Sequence, residues 1–435
     1  MHRSFSDEIE LHLAFSGGGY RAAAFCLGVL ACLIDQNLLS RVRSITSVSG
    51  GSFLNLFISQ HLEELATSDG HELVNDLAHR LATRSVYFSG AGVAAFTVAL
   101  VSVAVLLILS FSVFIISLFI YPEIGLLTAL VLAGLLVLFW LLLSVRNSVW
   151  VAAIRGLLSL NGKWTEAGGR GCQHVVCATD LVRGEPVFFF HNGAQCLSRG
   201  QGSPISLDPA RVIAFSAAFP GLMRPFRVRA SELFPSPNRA PEGDLILVDG
   251  GVVNNLGTQW WEPAAGGASN SCGARTVTII VDASVALPRW NLTGGHLSGT
   301  LAAAFRVFNL IYFNSVRPRL DSHRRQYPSG VNAAIGVSLA EDPFQVLCAN
   351  GVTDLNGRTS DLGRRFASRR REMTETAVRV QDVPTSLRAL GCSAVRDLVS
   401  HGYYLATIEL AGAALGNGGT VVLEDWFQSM HEKRS

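Results

Sequence analysis

Two long apolar runs constrain the fold of this 435-residue chain more than any other feature. They extend from Val93 to Ile120 and from Ile124 to Val145, and only a tripeptide containing Pro122 separates them. As α-helices they would be about 42 Å and 33 Å long, and either length is enough to cross a hydrocarbon core of about 30 Å. A linker this short returns the chain to the side on which it entered. The sequence therefore predicts a transmembrane helical hairpin over residues 91–146.

Charges at the two ends of the hairpin predict its orientation. Between Phe88 and Val145 the only charged residue is Glu123, at the tip, whereas Arg84, Arg146 and Arg155 flank the runs. Positively charged flanks favour the cytoplasmic side, so we expect two transmembrane helices with the rest of the chain in the cytoplasm. One alternative is a pair of buried helices in a soluble protein, which charge-free runs of this length disfavour. Another is a hairpin that dips into one leaflet, although the absence of a polar face argues against a surface-lying helix.

The overall composition excludes several kinds of protein. Apolar residues make up 49% of the chain and charged residues only 16%, against about 25% in an average soluble domain, and the hairpin accounts for the difference. A net charge of +2 gives no sign of a nucleic-acid partner. The eight cysteines lack CxxC and Cys/His ligand spacing, which predicts reduced thiols and no metal site. Basic clusters at residues 317–319, 323–325 and 364–371 are typical of solvated helix faces or, alternatively, of a surface that meets anionic lipid headgroups.

Two glycine-containing turns follow apolar runs of strand character. Leu11–Phe15 leads through Ser16 into Gly17–Gly19, and Ser49 lies between Val42–Val48 and the pair Gly50-Gly51. A serine in a strand-to-helix turn holds its hydroxyl at the carboxyl edge of the sheet, and the amides that begin the next helix favour negative charge beside it. The sequence therefore predicts Ser49 as a nucleophile, with a glycine turn that has no chemistry as the alternative.

The glycines also supply candidate donors for an anion. Glycine adopts positive φ without strain, which lets neighbouring N–H groups converge, and a tetrahedral oxyanion needs two such donors. The expected set is the N–H of Gly50, directly after the nucleophile, with those of Gly18 and Gly19, and Arg21 would add positive charge at the rim. A nucleotide phosphate loop is a weaker alternative, because the turn has neither a Gly-x-Gly-x-x-Gly nor a Gly-Lys-Ser/Thr pattern.

A carboxylate follows a third apolar run. Asp249 comes after Leu245–Val248 and before two glycines, on a turn that exposes its side chain. Such a group acts as general base to a serine hydroxyl when it lies within about 3 Å and is partly desolvated; an ordinary Asp-Gly turn is the alternative. Asp282, after the strand Thr276–Val281, is a weaker candidate. None of the eleven histidines lies in a recognisable catalytic turn, which favours a Ser–Asp dyad over a Ser-His-Asp triad.

Five blocks of the sequence resemble the signature blocks of patatin-like phospholipases. They occur in the family's order across residues 8–257, with the hairpin as an insertion. In chain order the blocks are Gly17-Gly18-Gly19-Tyr20-Arg21, Ser47-Val48-Ser49-Gly50-Gly51-Ser52, Cys177-Ala178-Thr179-Asp180-Leu181 with the following Gly184 to Phe190, Arg211 to Gly221, and Asp249-Gly250-Gly251.

The resemblance implies a three-layer α/β/α fold with a mainly parallel central sheet and cleavage of fatty-acyl esters through an acyl-enzyme. It implies Ser49 as the nucleophile, Asp249 as the base, Gly17–Gly19 with Gly50 as the oxyanion hole, and Arg21 as the family's basic residue after the glycines. No metal or other cofactor is implied. Ser47 stands where the family often has glycine, a small change in a tight turn.

The sequence thus predicts a membrane-tethered serine hydrolase for phospholipids or other acyl lipids, acting at the bilayer from its cytoplasmic side. Two alternatives stay open: an acyltransferase on the same fold and a catalytically silent membrane scaffold or lipid-binding protein. We expect a catalytic domain in two parts, residues 8–90 and 147–300, on either side of the hairpin. A C-terminal helical region, residues 301–435, would complete it.

Overall fold

The computed structural model describes residues 9–285, 332–349 and 366–413. Within the first range it leaves out residues 68, 89, 161–163, 165–170, 192, 204–206, 221–222, 235–242 and 262–274, and within the last it leaves out residue 367. The described residues contribute ten strands to one sheet: β1 (Ile9–Phe15), β2 (Val42–Val48), β3 (Gln173–Asp180), β4 (Glu185–Phe190), β5 (Gly193–Cys196), β6 (Gly200–Gly202), β7 (Phe226–Arg229), β8 (Asp244–Asp249), β9 (Arg275–Asp282) and β10 (Asn332–Ser338).

One half of the sheet is parallel. β10, β9, β1, β2 and β3 lie side by side in this order, and each neighbouring pair is parallel. The central strand β1 is apolar and buried at Leu11, Leu13 and Phe15, as expected for a parallel sheet that helices cover. Because these strands share one direction, the carboxyl ends of β1, β2 and β9 lie along one edge, and the turns of Gly17 and Ser49 follow there.

The other half of the sheet is antiparallel, so the sheet is mixed. The prediction of a mainly parallel sheet is wrong: among the described strands, five neighbouring pairs are antiparallel and four are parallel. β4, β5 and β6 extend the sheet beyond β3 through short turns, which join antiparallel neighbours. β8 runs antiparallel to β3 and pairs with β7. The apolar run that predicts β8 indicates a buried strand, but it carries no information on the strand's direction.

The described residues also form eleven α-helices: α1 (Gly19–Asp35), α2 (Gly50–Leu65), α3 (Gly70–Thr83), α4 (Ala91–Ile120), α5 (Pro122–Leu158), α6 (Pro209–Ser216), α7 (Ala230–Leu233), α8 (Gly251–Asn254), α9 (Pro343–Ala349), α10 (Arg370–Gln381) and α11 (Cys392–Gly412).

A close contact with α11 holds α1 in place. A Cβ atom built on Gly28 of α1 would lie 2.1 Å from the carbonyl oxygen of Val399, and one on Gly402 of α11 would lie 2.2 Å from that of Phe25. Only glycine allows the two backbones to approach this closely. α1 is consequently buried along most of its length, and the glycine turn at its N-terminus has a fixed position in the fold.

α4 and α5 form the predicted helical hairpin, with only Tyr121 between them. Both helices are long and apolar enough to cross a membrane. Many of their large apolar side chains face outwards, and Phe119 is 84% exposed; a continuous apolar surface of this kind marks an interaction with a membrane or a protein. α5 continues past the expected boundary at residue 146 to Leu158, and its last turns bury Trp150 and Ile154 in the core.

The predicted C-terminal helical region over residues 301–435 is described only in part. Its described residues include α9, α10 and α11, and also β10, an edge strand that the sequence pattern did not single out. Residues 301–331, 350–365 and 414–435 lie outside the described residues.

Candidate active site

Ser49 occupies a strained turn between β2 and α2. Its φ of 50° and ψ of −115° lie in a region that residues other than glycine rarely adopt. The next two residues have no room for a side chain: a Cβ atom on Gly50 would lie 2.1 Å from the carbonyl oxygen of Gly19, and one on Gly51 would lie 2.6 Å from that of Phe15. Ser49 itself is 9% exposed. This is the geometry of a nucleophile on a sharp strand-to-helix turn.

The glycine turn after β1 faces the turn of Ser49. Gly18 and Gly19 have φ values of 143° and 61°, and the close contact between Gly19 and Gly50 brings the N-termini of α1 and α2 together. Within the described part of the chain, the N–H groups of Gly18, Gly19 and Gly50 make no hydrogen bond. Two helix N-termini with unpaired N–H groups create a positive potential that suits an anion.

Gly17 differs from the other three glycines. Its N–H donates to the backbone carbonyl of Asn255 at 3.0 Å and to the Oδ1 atom of the same residue at 3.1 Å. This N–H is therefore not available to a substrate. It ties the glycine turn to the segment that follows Asp249, a contact that the glycine pattern alone gave no reason to expect.

Asp249 ends β8 and is 1% exposed. Its Oδ1 atom accepts the N–H of Gly251 at 2.8 Å, whereas Oδ2 is buried and makes no hydrogen bond with any described group. Burial raises the pKa of this carboxyl from 3.8 to about 6, and the hydroxyl of Ser49 and the N–H of Gly251 oppose that effect. The Ser49 hydroxyl is thus close enough to act on the Asp249 carboxyl, although the pair does not reach hydrogen-bond geometry, a common condition without substrate.

The register of β3 brings these two residues together. Val48, directly before Ser49, pairs with Cys177 of β3, and Asp249 pairs with the next residue, Ala178. β4 pairs with β3 over residues 175–180 and therefore occupies its other edge. β2 and β8 must then share one edge of β3 and meet end to end, because they run in opposite directions. The sequence predicts both turns, and the sheet places them at one point.

Ser216, at the end of α6, connects the two turns. Its hydroxyl accepts the backbone N–H of Ser49 at 2.8 Å and donates to the carbonyl of Cys177 at 2.7 Å. Its own backbone carbonyl accepts the N–H of Gly250 at 3.3 Å. Ser216 lies in one of the family-like blocks, yet its residue type alone gave it no role.

A buried chain of polar groups extends from Ser216 into the core. Ser52 lies 3.0 Å from the Ser216 hydroxyl and donates to Ser47 at 3.1 Å. Asn55 donates to Ser47 at 2.8 Å, and its Oδ1 atom is 2.7 Å from Nδ1 of His174. Burial lowers the pKa of His174 to about 3, so the ring is neutral. Ser47, the departure from the family pattern, is therefore a member of this network.

Arg21 lies deeper than the sequence suggests. Its side chain is buried, and its Nη1 atom donates to the carbonyl of Val383 at 2.9 Å. The Nη2 atom of Arg21 would lie 3.7 Å from a Cβ atom built on Gly18. The guanidinium therefore lies beneath the glycine turn and joins it to the segment before α11, instead of standing at the rim.

The second carboxylate candidate is less well placed. Asp282 ends β9, and β1 separates β9 from β2 and Ser49. Its Oδ1 atom accepts the N–H of Ser284 at 2.9 Å, an ordinary turn contact. In the part of the chain that the structure describes, no group of three histidine, cysteine, aspartate or glutamate side chains is arranged to hold a metal ion.

Comparison with solved structures gives distant similarities. The chain is 12% identical to human GIVD cytosolic phospholipase A2, with a TM-score of 0.47, over 98% of this chain and 60% of that one. The same phospholipase in complex with methyl γ-linolenyl fluorophosphonate gives 13% identity and a TM-score of 0.46 over the same shares. VipD from Legionella pneumophila is 12% identical, with a TM-score of 0.25, over 86% of this chain and 67% of that one.

These similarities assign neither a family nor a reaction. The chain spans about 60% of the length of the human phospholipase structures that it matches. No protein-family model matches the chain, and a comparison with curated proteins gives no match.

Proposed function

We propose that this protein hydrolyses a fatty-acyl ester of a membrane lipid with a Ser49–Asp249 dyad. The observation that carries the proposal is the meeting of β2 and β8 on one edge of β3, which brings a strained serine turn to a buried carboxyl. The N–H groups of Gly18, Gly19 and Gly50, which have no partner among the described residues, support it, because an acyl transfer needs donors for the developing oxyanion.

In the first half of the reaction, Oγ of Ser49 attacks the ester carbonyl while Oδ2 of Asp249 takes the hydroxyl proton. The negative charge on the carbonyl oxygen falls within reach of the glycine N–H groups. When the tetrahedral intermediate collapses, the ester C–O bond breaks and Asp249 gives the proton to the leaving alcohol. Ser49 then carries the acyl group.

In the second half, water replaces the alcohol. Oδ2 of Asp249 accepts a proton from the water as its oxygen attacks the acyl-enzyme, and the proton returns to Oγ of Ser49 when the fatty acid leaves. A pKa of about 6 leaves the carboxyl mostly ionised at neutral pH and still basic enough to accept a proton. Oδ1 stays bound to the N–H of Gly251, so Oδ2 is the atom that moves the proton.

We further propose that α4 and α5 embed the protein in a bilayer. Both helices are exposed along their apolar length, and both join the catalytic core at the same end of the hairpin. The core would therefore lie at the membrane surface on the side of Arg84 and Arg155, which the charge rule identifies as the cytoplasm. This position brings the site to a water-insoluble ester.

Fatty-acid release from phospholipid nanodiscs tests the proposed reaction. We expect Ser49→Ala and Asp249→Asn to lower the rate at least about 10³-fold. Ser59→Ala on the same helix and Asp244→Asn at the start of the same strand are matched controls that should keep the rate.

The products distinguish the alternatives. Equal release by all five proteins would mean that another site or a contaminant is responsible. Acyl transfer to an added alcohol, lost in Ser49→Ala and Asp249→Asn but without release of fatty acid, would indicate an acyltransferase. The absence of both products in the wild type would favour a scaffold.

A further inference from the structure

The base of the hairpin holds a second group of polar side chains, away from Ser49. Arg146 and Trp150 are one helical turn apart on α5, so they project from the same side of the helix. Asn147, between them in the chain, donates from Nδ2 to the carbonyl of Arg224 at 3.3 Å. That contact brings the segment before β7 against this part of α5.

Several polar atoms of this group are buried without a partner. Within the described residues, Nε of Arg146, Nε1 of Trp150 and Oδ1 of Asn147 make no hydrogen bond. At least about 90% of buried polar atoms in proteins are bonded, so three unbonded atoms within residues 146–150 of one helix form an unusual concentration. Two of them are donors that suit an anion, and the third is an acceptor that suits a hydroxyl group.

The charges of the group are also unbalanced. Arg224 is close enough to Arg146 for their positive charges to repel each other. Neither forms an ion pair with a described carboxylate, although the arginines around them do: Arg155 pairs with Asp208, Arg211 with Glu232 and Arg227 with Asp244. An anion bound between Arg146 and Arg224 would remove this repulsion.

The position of the group indicates where the anion comes from. About 20 helical residues cover a hydrocarbon core, so a core that begins near Ile124 ends close to Leu143. The exposed apolar surface of α5 extends to Val145, and Arg146 follows in the layer that holds lipid phosphates. Trp150 is buried at the base of the hairpin, with its ring 5.9 Å from that of Tyr87, and its N–H has no partner among the described residues.

We propose that Arg146, Arg224 and the indole N–H of Trp150 bind the phosphate of an anionic membrane lipid. The guanidinium groups neutralise the phosphate, and Oδ1 of Asn147 accepts a hydroxyl of the headgroup. The inference rests on the proposed embedding of the hairpin in a bilayer and is independent of the Ser49–Asp249 chemistry. Inorganic phosphate would make the same contacts as the phosphate of a lipid headgroup, so the experiment tests both anions.

The test is thermal unfolding of the full-length Ser49→Ala protein in zwitterionic detergent micelles, a background in which the proposed dyad cannot hydrolyse the added lipid. Short-chain phosphatidic acid should raise the unfolding midpoint by several degrees, whereas short-chain phosphatidylcholine should not. The double variant Arg146→Gln/Arg224→Gln should lose this rise. Arg211→Gln/Arg227→Gln is the matched control and should keep it, because these arginines already have carboxylate partners.

A milder variant keeps the test decisive if the double variant does not fold. Trp150→Phe keeps the ring and removes the N–H, and it should weaken the binding of phosphatidic acid by about threefold to tenfold. The proposal would be overturned if phosphatidic acid raised the unfolding midpoint of the double variant as much as that of Ser49→Ala alone. It would also be overturned if phosphatidic acid did not raise the midpoint of Ser49→Ala alone. A rise with inorganic phosphate as large as that with the lipid would overturn the assignment to a lipid.

Discussion

Asp249 pairs with Ala178 of β3, and Ser49 follows the residue that pairs with the neighbouring Cys177. β2 and β8 therefore end against each other on one edge of the same strand. The distance between Ser49 and the Asp249 carboxyl is set by sheet register and not by the conformation of a long loop. Rigid placement of this kind would keep the two groups of the proposed dyad within reach of one proton.

Ser216 should act as a positioning residue for Ser49. Ser216→Ala removes the hydroxyl that accepts the Ser49 N–H and leaves that buried donor without a partner. We expect kcat to fall about 10-fold to 100-fold with little change in KM, and the free energy of unfolding to fall by about 1–3 kcal/mol. Steady-state kinetics and chemical unfolding measure the two effects. Ser59→Ala should change neither, and a loss of stability with normal kcat would reduce Ser216 to a structural role.

The rate should depend on the ionisation of Asp249. Burial raises its pKa to about 6, and only the ionised carboxyl accepts a proton. We expect kcat/KM to rise about tenfold per pH unit below pH 6 and to level off above it. A rate that is constant between pH 5 and pH 7 would show that this carboxyl is not the base.

The same shift in pKa predicts a dependence of stability on pH. Because the pKa of Asp249 is higher in the folded protein than its ordinary value of 3.8, its contribution to stability is full below about pH 4 and is lost as the pH rises through 6. Asn at this position does not titrate. The free energy of unfolding of Asp249→Asn, relative to wild type, should therefore increase by about 2–3 kcal/mol between pH 4 and pH 8. A constant difference across this range would contradict the raised pKa.

The contact between Gly19 and Gly50 should tolerate no side chain. In Gly50→Ala the added Cβ would meet the Gly19 carbonyl at 2.1 Å, which pushes the two helix N-termini apart. We expect activity to fall at least about 10²-fold and stability to fall by about 1–3 kcal/mol. Gly134→Ala in the hairpin is the control, because nothing lies within 4 Å of its added Cβ. Normal activity of Gly50→Ala would argue against an oxyanion site at this contact.

The orientation of the hairpin is open to chemical labelling. A cysteine in place of Tyr121, near the tip, should react with a membrane-impermeant maleimide from the side opposite the core that contains the sheet. Cys348, which is exposed on the core, should react only from the core side. Two variants are needed, one with a cysteine only at position 121 and one with only Cys348. Each is labelled in right-side-out and in inverted vesicles from expressing cells, which expose opposite sides of the membrane. Labelling of both positions from one side would contradict a spanning hairpin.

The sequence predicts individual turns and strands well, but it predicts poorly how the strands pair in the sheet. Glycines around Ser49 and Asp249 predict turns, and runs such as Leu245–Val248 predict strands, because residue type limits backbone conformation over a few positions. The direction of β8 does not follow from its run, since an apolar strand is equally buried either way. The prediction of a mainly parallel sheet fails for this reason and because β4, β5 and β6 add three antiparallel pairs through short turns.

Roles that depend on distant partners were also beyond the sequence. Gly17 resembles Gly18 and Gly19 in sequence, but its N–H is taken up by Asn255, 238 positions later. Arg21 is a long charged side chain that is usually exposed, and here it is buried against Val383. Ser216 is one small polar residue among many until the fold brings it to Ser49.

Covalent labelling of the nucleophile is the most direct test of the central claim. A lipid-like alkyl fluorophosphonate reacts with an activated serine, whose Oγ displaces fluoride and forms a stable phosphonate ester. We expect peptide mass spectrometry to find the adduct on Ser49, no adduct in Ser49→Ala, and labelling at least about 10²-fold slower in Asp249→Asn. An adduct on another residue, or equal labelling rates in wild type and Asp249→Asn, would contradict the Ser49–Asp249 dyad.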